Sequence, residues 1–175
     1  MYKNCFKRDY FTNNCCQPLI VNDSFRACLN GRNEIPPNNS FATGRFVVQL
    51  SSDGTRLRYT LRTNCLRNIT AAHFHIGSVN ENGPIVKTIP INVCTGDATG
   101  SWTASDSEPL TPQLVERLQT GGLYVNVHTT LYPGGEIRGQ ILPLNCQLPN
   151  GLNGSNGSNG LANNVYSPGN NVYTY

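Results

Sequence analysis

Three histidines, His73, His75 and His128, are the only imidazoles in the chain. Two of them stand two residues apart in Ala71 to Gly77, AAHFHIG, a spacing that in an extended strand sends both rings out of the same face. The third lies in another alternating run, LYVNVHT. Three imidazoles whose rings converge can hold a copper or zinc ion and leave one coordination position open. Rings that do not converge are hydrogen-bonded polar residues where two strands meet. Such a ligand set needs supporting groups, and Glu136 is the obvious carboxylate for that role. Nucleophilic chemistry has less footing, because no G-x-S-x-G elbow or comparable motif brings Ser, His and Asp together.

Cysteine is the second reactive set. Seven cysteines in 175 residues is a high count for a reducing compartment, and no C-x-x-C spacing offers a zinc site. An odd number cannot all pair within one chain. Cys5, Cys15 and Cys16 fall in a polar leader and are candidates for bridges to neighbouring copies. Cys28, Cys65, Cys94 and Cys146 fall at edges of the folded module, where at least one bridge is expected; closing a long loop there stabilises by roughly 2 to 4 kcal/mol. The alternative is thiols that are buried or idle.

The elements that must position these groups read as β-strands. Leu123 to Leu142 alternates apolar residues on either side of Pro133-Gly134-Gly135, the period-two pattern of a hairpin with one buried face. Gly44 to Leu50 and Leu57 to Thr63 form a second hairpin around Asp53-Gly54. A first strand begins at Phe25 and ends before the Pro36-Pro37 stop. Pro84 to Val93 looks extended, with Pro90 demoting its end to an edge or bulge, and Gly100 to Ser105 carries the only Trp. One helix is expected from Leu110 to Gly122, with Thr111 as N-cap, Pro112 at the first helical position and Gly121 past the last turn. It is too short to stand alone and must dock on the sheet.

Composition sets the remaining bounds. With 38% apolar residues the chain can fill one sandwich core, placed at residues 25–148. Residues 1–24 form a cysteine-bearing arm. Residues 149–175 join an Asn/Gly/Ser linker to a segment in which Val165, Tyr166, Val172 and Tyr173 have strand-forming character; these are candidate anchors for strand addition to a neighbouring copy. The net charge of +3 comes without a basic block, so neither nucleic acid nor a membrane is the expected partner. No apolar run approaches the roughly 20 residues of a membrane span, and no signal peptide is seen. An outer location, on a cell or spore surface, would then follow release on lysis.

In order along the chain, NEIPP, FVVQL, LRYTL, HFHIG, NGPIV, the short helix, LYVNVHT and PGGEIRGQI resemble the CHRD (chordin-type) domain. The resemblance runs over roughly residues 26–144 and implies an all-β, Greek-key sandwich similar in plan to copper/zinc superoxide dismutase. It implies little chemistry, since the module is mostly a structural or binding unit. In the dismutase fold a His-x-His pair and a later histidine hold copper, with an arginine near the open position. His73, His75, His128 and Arg138 stand in the matching order, while a bridging histidine and a zinc site have no counterpart. The arm, with Asn13-Asn14-Cys15-Cys16, is similar in layout to bacterial endospore appendage subunits, whose arms cross-link through disulfides. The expected function is therefore a self-assembling structural protein, the subunit of a disulfide-cross-linked fibre or surface layer, with copies of itself as partners and no cofactor. The alternative is a copper-dependent, dismutase-like oxidoreductase using the three histidines.

Overall fold

Alternation decides which side of a half-buried strand faces the core, and the computed structural model, which describes residues 23–144, follows it at 43–50, 56–64 and 98–103, while 123–129 and 137–139 are covered on both faces. Cys5, Cys15, Cys16, Cys146 and the tail anchors Val165, Tyr166, Val172 and Tyr173 lie outside the described residues. The elements are β1 (Ser24–Asn30), a single 3-10 turn (Gly31–Asn33), β2 (Thr43–Leu50), β3 (Arg56–Asn64), β4 (Ile69–Ile76), β5 (Ile85–Thr88) and β6 (Ala98–Thr103). They continue with α1 (Pro112–Gln119), β7 (Leu123–Thr129), β8 (Ile137–Gln140) and β9 (Leu142–Pro143). All strand pairs are antiparallel.

The strands run in one path, β5-β4-β7-β8-β1-β2-β3-β6, with β9 beside β1. Its weakest joint is between β8 and β1, where Asn30 and Arg138 are the only paired residues. There the sheet folds over into two layers, β1-β2-β3-β6 and β5-β4-β7-β8, in the all-β Greek-key arrangement the sequence implies. Phe74 of the second layer meets Phe46, Tyr59 and Trp102 of the first, with ring centroids 5.2, 5.5 and 5.0 Å away. Such large, fully buried rings supply much of the core's stability, and Trp102 also donates its indole N–H to the Glu108 carbonyl at 2.7 Å.

Local signals set the ends of the elements. Thr111 Oγ1 accepts from the Leu114 N–H, Pro112 opens α1, and Leu114 and Leu118 are buried; Gly121 takes φ +71° after the last turn, where a Cβ would be strained. Asp53 Oδ1 accepts from Ser51, from the Thr55 amide and from the Thr55 hydroxyl, fixing the β2–β3 turn. The extended run at Pro84 to Val93 is shorter than its composition suggests. After Thr88 the Ile89 N–H still bonds Ala72 O; Pro90 then has no N–H to continue the ladder, and Asn92 to Gly96 closes a turn.

Candidate functional site

The second layer has two faces of different character. Ala72, Phe74, Val125, Val127, Ile137 and Ile141 point into the core. The opposite face carries His73 and His75 from β4, Tyr124, Asn126 and His128 from β7, and Arg138 and Gln140 from β8. Register sets these in rows: His75 opposite Tyr124 opposite Gln140, and His73 opposite Asn126 opposite Arg138, with His128 opposite Ala71. The sequence-predicted histidines are thus brought together, their ligand atoms all within 4.8 Å of one another.

Hydrogen bonding fixes which nitrogens are available. His75 Nδ1 lies 2.9 Å from the Gly83 carbonyl oxygen and His128 Nδ1 lies 2.8 Å from that of Pro133. A carbonyl oxygen only accepts, so in each ring Nδ1 carries the proton and Nε2 of the neutral ring is a lone pair. His73 Nδ1 is 3.1 Å from His128 Nε2. Neutrality is favoured electrostatically. Burial, helped by the neighbouring His128 and His75, pushes His73 down to about 4, and burial also lowers His75, against the hydrogen bond it donates to the Gly83 carbonyl, which acts the other way. Three imidazoles with convergent nitrogens, His73 moving its Nδ1 proton to Nε2, are a donor set suited to copper or zinc. Metal–nitrogen bonds of about 2.0–2.1 Å separate the nitrogens of a tetrahedral site by roughly 3.3 Å, so a separation of 4.8 Å must contract by about 1.5 Å.

The supporting groups differ from those expected. Glu136 does not orient a histidine; its carboxylate accepts from Ser40 Oγ at 2.6 Å and Thr129 Oγ1 at 2.7 Å. Backbone carbonyls orient the rings instead. Arg138, expected near an open coordination position, is 1% exposed. Its guanidinium donates to Asn82 Oδ1, Ser78 O and Glu81 O, each at 2.8 Å, so it ties down the loop at 77–84. That loop supplies the Gly83 carbonyl to His75. Arg138 also lies 3.5 Å over the Tyr124 ring, whose other face stacks on His75 at 4.7 Å and 7°. The arginine therefore holds His75 through a ring and through a loop.

Residues that the sequence reading did not single out complete the picture. Asn126, 3% exposed, places its amide 3.0 Å from both His75 Nε2 and His128 Nε2; the signal for it was its position two residues before His128. Asn82 bridges Arg138 to the Ile35 carbonyl, to which its Nδ2 donates at 2.7 Å. Glu34 is 5% exposed, with Oε1 unpartnered. Burial raises its carboxyl to about 7 even though Arg138 and the Ile35 amide pull the other way.

The cysteines are dispersed. Cys28 on β1 is disulfide-bonded. Cys65, half-buried at φ +65°, and Cys94, exposed, lie just past the Leu61–Ala98 end of the β3–β6 ladder. Among the described residues no helix is long and apolar enough to cross a membrane.

Comparison with the curated proteins returned no match. The family model described as CHRD domain matches residues 25–141, spanning β1 to the end of the β7–β8 hairpin and thus the whole outer face with its histidines. The chain belongs to the CHRD domain family.

Proposed function

We propose that the chain is a structural subunit that assembles with copies of itself into a disulfide-cross-linked fibre or surface layer, with a spore surface as the candidate setting. CHRD domains are typically extracellular. The observation that carries the reading is the open sheet. Its path ends at β5 and β6, and strand edges are templates for added strands. The β5 edge is short, bulged beside His75, and has the Thr88 N–H taken by Glu108 at 2.8 Å. The β6 edge is longer, and the one side-chain cap found on its amides among the described residues is Asp106 on the Thr103 N–H. β6 is the edge on which a Val/Tyr segment from another copy fits. Cys5, Cys15 and Cys16 then provide covalent links. The test compares the full chain, a Cys15→Ser/Cys16→Ser variant and a chain ending at Pro149 by reducing and non-reducing electrophoresis and negative-stain microscopy. Filaments and ladders that collapse on reduction support the reading. A full chain that stays monomeric under oxidising conditions overturns it.

A second reading has its own observation, the convergence of ring nitrogens from His73, His75 and His128. It makes the outer face a copper or zinc site, with each ring oriented by the chain itself. Because Arg138 spends its donors on the 77–84 loop, the reading concerns metal binding, and superoxide turnover is a separate assay. Metal analysis of the full chain after exposure to Cu2+ or Zn2+ tests it, with stoichiometric metal lost in His128→Gln as the supporting result.

A further inference from the structure

Asn126 sits where an ion would have to go. Its side-chain oxygen as placed faces His75 Nε2 and His128 Nε2, both at 3.0 Å. Both nitrogens are lone pairs, because the Nδ1 protons of these rings are committed to Gly83 O and Pro133 O. An acceptor oxygen facing two acceptor nitrogens is repulsive. Moving the ring protons to Nε2 would instead set two bare Nδ1 atoms against two carbonyl oxygens, which is worse. Turning the carboxamide over resolves both Asn126 contacts, since oxygen and nitrogen of an amide are interchangeable in shape and the NH2 group has two protons for two acceptors; His128 Nε2 is then shared with the Nδ1–H of His73 at 3.1 Å. Asn126 then donates to both Nε2 atoms. It lies between His73 and Arg138 in its cross-strand row.

We propose that the Asn126 carboxamide is the gate of the three-histidine site: in the metal-free chain its NH2 group occupies the lone pairs of His75 and His128, and a divalent copper or zinc ion binds by displacing it. This rests on the metal-binding reading and adds to it a mechanism of loading. The ion exchanges two amide–imidazole hydrogen bonds for two metal–nitrogen bonds, and His73, whose Nδ1–H donates to His128 Nε2 at 3.1 Å, moves that proton to its own Nε2 by way of solvent and becomes the third ligand through Nδ1. No proton leaves His75 or His128, whose Nδ1–H groups stay on their carbonyls. The gate therefore sets affinity without changing the ligand set. Removing it should tighten binding, because two modest hydrogen bonds no longer compete with the ion.

The experiment titrates Cu2+ and Zn2+ separately into the full chain and into Asn126→Ala and Asn126→Asp. In parallel, nitrogen NMR of the metal-free full chain reads which ring nitrogens are protonated. The wild type should bind one ion. Asn126→Ala should bind about tenfold more tightly, and Asn126→Asp more tightly still, as its carboxylate becomes a fourth ligand. The NMR should show Nδ1–H rings for His75 and His128. A wild type that binds no ion refutes the metal reading itself. Ion binding by the wild type with equal or weaker binding by Asn126→Ala refutes the gate alone, as do Nε2–H rings in the metal-free protein. If Asn126→Ala fails to fold, Asn126→Asp and the NMR of the wild type still decide.

Discussion

Replacing Glu34 by Gln should change the pH dependence of stability and leave the fold alone. The carboxyl lies in the NEIPP turn, close against Gly135, with Oε1 unpartnered. Burial raises it from 4.5 to about 7. A carboxyl raised on folding keeps its proton in the native state after the unfolded chain has lost it. The native state therefore binds more protons between pH 4.5 and about 7, and stability falls as pH rises through that window. A shift from 4.5 to about 7 corresponds to about 3 kcal/mol drained across it. The attraction of Arg138 is already contained in that value. Glu34→Gln has no proton to lose, so the wild type and the variant should be of similar stability at about pH 4.5 and differ by up to about 3 kcal/mol, in favour of the variant, at about pH 8. Urea denaturation at the two pH values measures it. A constant difference between the two proteins at both ends would refute the reasoning, because it would mean the carboxyl titrates alike in the folded and unfolded chain.

Gly135→Ala should destabilise by about 1–3 kcal/mol in denaturant titration, since φ is +133° and a Cβ there meets the Glu34 carboxylate. Arg138→Met should free the 77–84 loop, read as faster amide exchange at Ser78 to Gly83 while β2 and β3 stay protected, and should cost about 1–3 kcal/mol through the lost charged hydrogen bonds to Ser78, Glu81 and Asn82. Phe74→Ala removes the ring that joins the two layers and should cost about 3–5 kcal/mol by the same titration. Thr111→Ala should cost about 1 kcal/mol, lowering the thermal midpoint by a few degrees, through the lost cap on the Leu114 amide.

Short-range features were legible in the sequence because their causes are local. Alternation put His73 and His75 on one face, Thr111-Pro112 started the helix, and Asp53-Gly54 closed the hairpin. The convergence of His128 on that pair depends on β4 and β7 pairing Ala71 with His128, a register between segments 57 residues apart that no window of sequence contains. The part played by Arg138 was misjudged for the same reason. Motif order suggested an arginine near an open coordination position, while the fold brings Ser78, Glu81 and Asn82 over it and spends its donors there. Glu136 looked like a supporting carboxylate by elimination, but it points to the Ser40 and Thr129 hydroxyls. Asn126 was passed over as a polar residue in a strand, because whether such a residue faces solvent or two imidazoles depends on the layer around it.

The pairing of β9 with β1 has a mechanical consequence. Phe25 and Arg26 lie opposite Pro143 and Leu142, and the Leu144 N–H bonds Ser24 O at 3.0 Å, so both ends of the folded module leave from one pole. With the Cys28 disulfide reduced, a pull between arm and tail meets that short ladder end-on and opens it one bond at a time, in the unzipping geometry, before any force crosses the layers. In a fibre reduced at Cys28 and stretched through those two appendages the first element to yield would be β9, which ends beside the outermost residues of the module. The sandwich behind it would remain folded, and the few residues released would lengthen each subunit as a reversible extension.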